Sequence, residues 1–209
     1  MSKPKLDRKL NTVRYTNQPC IVLDLDETCL DNSPYTGYQI ESGQSYSSAS
    51  WAEWTTLGVA DSIPGCVSFL KWVDQQNVPI FYVSNRKVSA LASTMRNMKN
   101  LGFPQVTEDH IMLRTDNSNK QPRRDIIEEN HTIVMFFGDN LNDFAEEWEK
   151  KDTEDRNALV DENRSDFGMT YILIPNPGYG SWEGAMYNYE RLSGAAADSA
   201  RRANIRSFR

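Results

Sequence analysis

Four short blocks of almost unbroken apolar residues constrain this chain more than any other feature. They are CIVLDLD (20–26), PIFYVSN (79–85), HTIVMFFGD (131–139) and MTYILIP (169–175). Runs this brief, apolar at odd and even positions alike, suit strands buried on both faces of a sheet. HIMLR (110–114) reads as a weaker strand. Between the blocks, apolar residues recur at helical spacing: Val67, Leu70 and Val73 in 65–77, and Leu91, Met95 and Met98 in 88–102, with Gly102 as a C-cap. Shorter helical patterns lie at 123–130 and 142–151. Alternating strands and helices predict a doubly wound α/β fold: a mainly parallel sheet, helices on both faces, right-handed connections. The 209 residues suit one such domain, so 1–209 is read as a single unit.

Two stretches break this rhythm. Residues 33–62 are polar and aromatic, and read as a loop or small cap inserted on the substrate side. Residues 175–192, PNPGYGSWEGAMYNYERL, form a second aromatic-rich segment. The end, 193–209, reads as a surface tail or helix.

The bulk chemistry excludes several classes of function. Net charge is -6 with a pI near 5.0, which argues against binding long nucleic acid. No apolar run approaches the roughly 20 residues of a membrane helix. The basic start MSKPKLDRKLNTVRY has no apolar core behind it, so it reads as neither a signal peptide nor a lipoprotein signal. A cytoplasmic protein is expected, or a periplasmic one if a leader has been removed. Cys20, Cys29 and Cys66 form no CxxC pair, and none precedes an arginine at the spacing of a cysteine-phosphatase loop. His110 and His131 are not spaced as metal ligands; His131 reads as a strand-entry residue. Any bound metal would have oxygen ligands, which points to magnesium rather than zinc.

Four polar signals follow the strand blocks, where ligands of open α/β sheets bind. Asp24 and Asp26, two apart on a strand, point the same way and suit one ligand, one as nucleophile and one as acid or base. A lone DxD is also common at strand ends with no catalytic role. Ser84 and Asn85 offer a hydroxyl and backbone N–H groups for phosphate oxygens, although Ser-Asn is also turn chemistry. Lys120 suits a point charge on a phosphate; Arg123 and Arg124 read as a solvated helix face. Asp139 and Asp143 fall on one face if a helix begins there. Four carboxylates brought together repel, and a divalent cation relieves that repulsion.

DLDETCLDNSPY, YVSNR, the lysine of SNKQPRR, and GDNLNDF resemble, in order, the four motifs of the haloacid dehalogenase-like phosphatases. More narrowly they are similar to the class C (DDDD) acid phosphatases, which include the lipoprotein e-type nucleotidases. NPGYGSWEGAMYN is similar to theirs too, and the resemblance spans about 19–190. It implies an HAD-like Rossmannoid fold and a Mg²⁺-dependent phosphomonoesterase acting on nucleoside monophosphates. It implies Asp24 as the nucleophile that becomes an aspartyl-phosphate, and Asp26 as acid and then base. It implies Ser84, Asn85 and Lys120 at the phosphate. Asp24, the Asp26 backbone carbonyl and Asp139 would hold Mg²⁺, with Asp143 on its water ligands. Tyr46 and Tyr179 would sandwich a nucleobase, with Trp51 and Trp182 nearby; aromatics in such segments also simply pack the segment down.

The chain departs from the secreted members in having 18 residues before Pro19, which implies a smaller flanking helical region and leaves a homodimer open. A phosphatase or phosphotransferase for another small metabolite, and a non-catalytic binding relative, are the alternatives. The presence of Asp24, Asp26, Lys120, Asp139 and Asp143 counts against the last.

Overall fold

The computed structural model describes residues 3–190, 192 and 194–208. In chain order the elements are α1 (Lys3–Thr12), β1 (Gln18–Leu23), β2 (Leu30–Asp31), α2 (Ser33–Ser42), α3 (Ser48–Leu57), β3 (Asp61–Ser62), α4 (Cys66–Gln75) and β4 (Ile80–Lys87). There follow α5 (Leu91–Leu101), β5 (Ile111–Arg114), α6 (Gln121–Glu128), β6 (His131–Gly138), α7 (Thr153–Glu162), β7 (Tyr171–Leu173), α8 (Ser181–Ala185) and α9 (Gly194–Ala203).

The main sheet has five strands in the order β5-β4-β1-β6-β7, and every pairing is parallel. This is the doubly wound α/β fold that the apolar blocks predict. The alternation of β1 shows why both faces need apolar residues. Ile21 and Leu23 pack with Leu70 and Val73 of α4 and Met98 of α5. Cys20 and Val22 pack on the opposite face with Ile127 of α6. Each Val, Leu, Ile or Met side chain so buried stabilises the fold by about 1.5–3 kcal/mol. Because all five strands run the same way, their carboxyl ends lie on one edge.

Two local readings are corrected. Residues 33–62 are not a plain loop: they form α2 and α3. The antiparallel pair β2–β3, Leu30 against Ser62 and Asp31 against Asp61, closes the base of this excursion. Pro34 in the first turn of α2, the left-handed Gly43 behind it, and the Ser47 side chain accepting from the Ser50 N–H at 3.1 Å are the helix signals the aromatics obscured.

Residues 142–151 are not a helix either. They contain two 3₁₀ turns, Leu141–Asp143 and Glu146–Trp148, and α7 begins later behind the Asp152 cap. The Asn140 and Asp143 side chains bond backbone N–H groups, and such bonds compete with helix.

The expected tail contains α9, whose Ala197 is buried and whose Arg201 pairs with Glu183 at 2.7 Å. The bounding residues of that tail, Ser193 and Arg209, lie outside the described residues. Among the described residues no helix is long and apolar enough to cross a membrane.

Candidate active site

β1 and β6 are parallel neighbours, so the residues after them emerge side by side. The Asp24 N–H still bonds the Phe137 carbonyl at 2.9 Å, one step past the labelled strand. Carboxylate oxygens of Asp24, Asp139 and Asp143 lie within 4.8 Å of one another. The buried Lys120 ammonium donates to Asp24 Oδ1, and to Asp143 Oδ1 at 2.7 Å. Three carboxylates thus face one ammonium, which leaves two negative charges without a partner cation in the cluster. Burial, Asp143, Asp139 and Asp26 push the Asp24 carboxyl well above its ordinary range, against the pull of Lys120. Burial and then Asp143 push Asp139 up to about 7. Burial alone would lower Lys120, but Asp143 and Asp24 outweigh it, and the ammonium holds its proton more firmly than usual.

The turn that carries Asp143 is held from behind by arginines. Arg124 donates to the carbonyls of Asn142 and Asp143 at 3.2 and 3.0 Å. Arg156 donates to Asn142 Oδ1 and to the Trp148 carbonyl, both at 2.9 Å. Arg123 donates to the Ser84 carbonyl at 2.6 Å and to Asn85 Oδ1 at 2.7 Å, binding the first turn of α6 to β4. The reading of Arg123 and Arg124 as a solvated face is therefore corrected. Arg124 is buried because the orphan carbonyls of a tight turn need donors where water is excluded.

Gly138 is required for a different reason. A Cβ there would lie 2.4 Å from the Asp143 Cβ and Oδ2. Gly138→Ala is expected to push the Asp143 turn off the sheet, costing about 1–3 kcal/mol as overpacking does. Activity should fall with it. Urea unfolding and phosphate release check this; wild-type values for both would mean the turn has room.

Asp26 enters a second network. Arg86 donates from Nε to Asp26 Oδ1 and Oδ2 at 2.9 and 3.2 Å, and from Nη2 to Oδ1 at 2.8 Å. Asn32 Nδ2 donates to the same Oδ1 at 2.9 Å and to Glu27 Oε2 at 3.2 Å. Glu27 stands at φ 58°, uncommon for a residue with a side chain, in a turn where Leu25 accepts from Cys29 and Leu30 at 2.8 Å each. Its carboxylate also accepts from the Tyr179 hydroxyl.

The segment after β7 is fastened to the cluster too. Asn176 Nδ2 donates to Asp139 Oδ2 at 2.7 Å, while Asn176 Oδ1 accepts from the Gly178 N–H at 2.9 Å.

Above the acids lies a cavity of about 820 Å³. Asp24, Asp26, Asn85, Lys120, Asp139 and Asp143 line its floor, and Tyr46, Trp51 and Tyr179 its walls. Tyr46 is 60% exposed and stands 6.4 Å from the Trp51 ring, both on the α2–α3 excursion. Two expected residues do not line it. Ser84 is fully buried, its hydroxyl accepting from the Arg86 N–H at 3.2 Å. Trp182 braces the loop instead, its indole N–H bonding the Asn176 carbonyl at 3.2 Å. Arg86, Asn32, Arg156 and Asn176 have no role in the reading of the sequence, and Arg124 has there only that of a solvated face. Buried polar partners have no periodicity, and only the unusual cost of burying an arginine marks them once burial is known.

An aspartate at the end of the central strand, a buried lysine against it and two aspartates after the neighbouring strand define a phosphohydrolase of the haloacid dehalogenase type. The comparisons with known proteins agree. The family described as HAD superfamily, subfamily IIIB (Acid phosphatase) matches residues 6–182. The class C acid phosphatase from Bacillus anthracis with tungstate bound is 40% identical, with a TM-score of 0.95, covering 100% of this chain and 87% of that one. A second structure of the class C acid phosphatase from Bacillus anthracis is 41% identical, with a TM-score of 0.93, covering 99% and 86%. The chain belongs to the subfamily IIIB acid phosphatases of the HAD superfamily, a family of phosphomonoesterases.

Proposed function

We propose that this phosphomonoesterase hydrolyses nucleoside monophosphates through an aspartyl-phosphate intermediate, with Mg²⁺ as its cofactor. The observation that carries the reading is the placement of Asp24, paired with Lys120 and clustered with Asp139 and Asp143, at the floor of a cavity walled by aromatic rings.

The donor set fits the metal. All three clustered side chains offer hard carboxylate oxygens, and their excess of negative charge equals the charge of one divalent cation. Asp24 and Asp139, with the Asp26 backbone carbonyl, would hold it, and Asp143 would hold its water ligands. Bound there, Mg²⁺ would offset the charge of the phosphoryl oxygens and of the attacking carboxylate. The Bacillus anthracis relative has tungstate bound, a tetrahedral oxyanion like phosphate, which supports oxyanion binding by this chain.

The chain's own residues then divide the work. An Asp24 oxygen attacks phosphorus and the ester P–O bond breaks. Asp26 gives its proton to the departing oxygen, then takes one from the water that attacks the aspartyl-phosphate. That second displacement releases inorganic phosphate and restores Asp24. Lys120 holds Asp24 in place and offsets charge on the phosphoryl oxygens, and Asn85 flanks them. Tyr46 and Tyr179 offer faces for the base, with Trp51 behind Tyr46.

The test is phosphate release from a panel of nucleoside monophosphates and ringless phosphomonoesters, with Mg²⁺ and with EDTA. Release should require the cation and favour nucleotides. Tyr46→Ala should raise KM for nucleotides about tenfold, since stacking is worth ~1–3 kcal/mol per base, and leave glycerol phosphate unchanged. Equal turnover of ringed and ringless esters, or an unchanged KM for every nucleotide, would remove the nucleotide preference.

A further inference from the structure

We infer that Arg86 and Asn32 are positioning residues for Asp26, and that they hold its Oδ1 so that Oδ2 is the oxygen that passes the proton to the leaving group. This rests on the reading of Asp26 as acid and base given above.

The two oxygens of Asp26 are loaded unequally. Oδ1 accepts from Arg86 Nε at 2.9 Å, Arg86 Nη2 at 2.8 Å and Asn32 Nδ2 at 2.9 Å. Among the described residues, Oδ2 receives only the long 3.2 Å contact from Arg86 Nε. Oδ1 has no room for a proton or a substrate oxygen. Oδ2 keeps that capacity, and Asp26 lines the cavity.

Both donors are themselves fixed. Arg86 is 2% exposed, and its Nη1 reaches Thr94 Oγ1 at 3.3 Å on α5. Asn32 is 1% exposed and uses its whole amide: Oδ1 accepts from Trp54 Nε1 at 2.8 Å and from Arg86 Nη2 at 3.3 Å, while Nδ2 serves Asp26 and Glu27. The Trp54 indole decides which way the Asn32 amide faces. The orientation of Asp26 is therefore set from two sides, by β4 through Arg86 and by α3 through Trp54 and Asn32. A carboxylate so clamped turns little about its Cβ–Cγ bond, which is what proton delivery to one point in space requires.

Leaving-group dependence separates this role from a merely structural one. The p-nitrophenolate ion departs without a proton; an alkoxide from glycerol phosphate does not. The ratio kcat/KM covers steps only up to departure of the leaving group, so the later attack of water drops out of the comparison. Arg86→Lys keeps the charge and loses the planar fork. It is expected to lower kcat/KM for glycerol phosphate at least about tenfold more than for p-nitrophenyl phosphate, a fraction of the roughly 10²–10⁴-fold that general acid catalysis supplies. Trp54→Phe keeps the ring, loses the N–H, and should show the same bias at about threefold; it decides the matter if Arg86→Lys does not fold. Asp26→Asn is the reference and should show the largest bias of the three. Equal losses on both esters in the Arg86 and Trp54 variants, or none on either, with the bias intact in Asp26→Asn, would overturn the positioning role alone. Absence of bias in Asp26→Asn itself would instead overturn the reading of Asp26 as the acid.

Discussion

Asp24→Asn is expected to lower kcat by about four orders of magnitude or more while the protein stays folded. The amide is nearly the same shape as the carboxylate, and its carbonyl oxygen still accepts from Lys120. What it lacks is a lone pair on an anionic oxygen able to attack phosphorus. The fold should not suffer, because the wild-type carboxyl is already disfavoured as an ion. Burial and three neighbouring acids raise it well above its ordinary range. Burial and repulsion from those acids together outweigh the attraction to Lys120, so the fold loses little when the charge is removed. Phosphate release and thermal melting in EDTA, run side by side, check both halves. A folded variant retaining a tenth of wild-type turnover would exclude Asp24 as the nucleophile.

Lys120→Met is expected to have the largest effect on stability. The methionine fills nearly the same space and leaves Asp24 and Asp143 without their buried cation. Breaking a buried ion pair by removing one partner costs about 3–5 kcal/mol. The loss should be greatest in EDTA near neutral pH. It should shrink as pH falls through about 7 toward the ordinary carboxylate range, because Asp24 and Asp139 are both raised, and a carboxyl whose folded-state pKa is raised is destabilising once it must ionise and harmless once protonated. Mg²⁺ should restore more stability to the variant than to wild type, since a ligand stabilises more the more tightly it binds and the competing ammonium is gone. Turnover should still fall roughly 10²–10³-fold, the usual cost of losing one charge-stabilising donor. Urea unfolding with and without Mg²⁺ measures this. A variant as stable as wild type in EDTA would mean that the acids are relieved by some other group.

The readability of this site from sequence differs residue by residue. Asp24 and Asp139 were visible because each follows an apolar block that has to be a strand, and parallel neighbours must present their ends together. Lys120 was visible from its place before α6 within the ordered motifs. Arg86 directly follows Ser84 and Asn85, a pair that also suits a turn; instead β4 runs on to Lys87, and the register skips between Ser84 and Lys87 against β5. Arg86 lies within that irregularity, buried and bonded to Asp26, and no local pattern announces it. Ser84 went the other way, from an expected phosphate contact to a fully buried hydroxyl. Trp182 and Tyr179 are three residues apart, yet only Tyr179 lines the cavity. Which ring braces the loop and which faces the cavity depends on backbone hydrogen bonds around Asn176 that spacing does not encode.

By itself the sequence determined the sheet and the acids that gather at its carboxyl edge. Apolar blocks have to be buried on both faces, and a charge at the end of such a block has one place to go, the carboxyl edge. The tertiary structure alone decided how those acids are held. Arg86 on Asp26, Arg124 and Arg156 behind Asp143, and Asn176 on Asp139 are contacts between residues remote in the chain, and Asn32 reaches Asp26 across the turn between them. Their partners are chosen by distance and by the need to satisfy every buried polar group. Neither condition exists until the chain has folded.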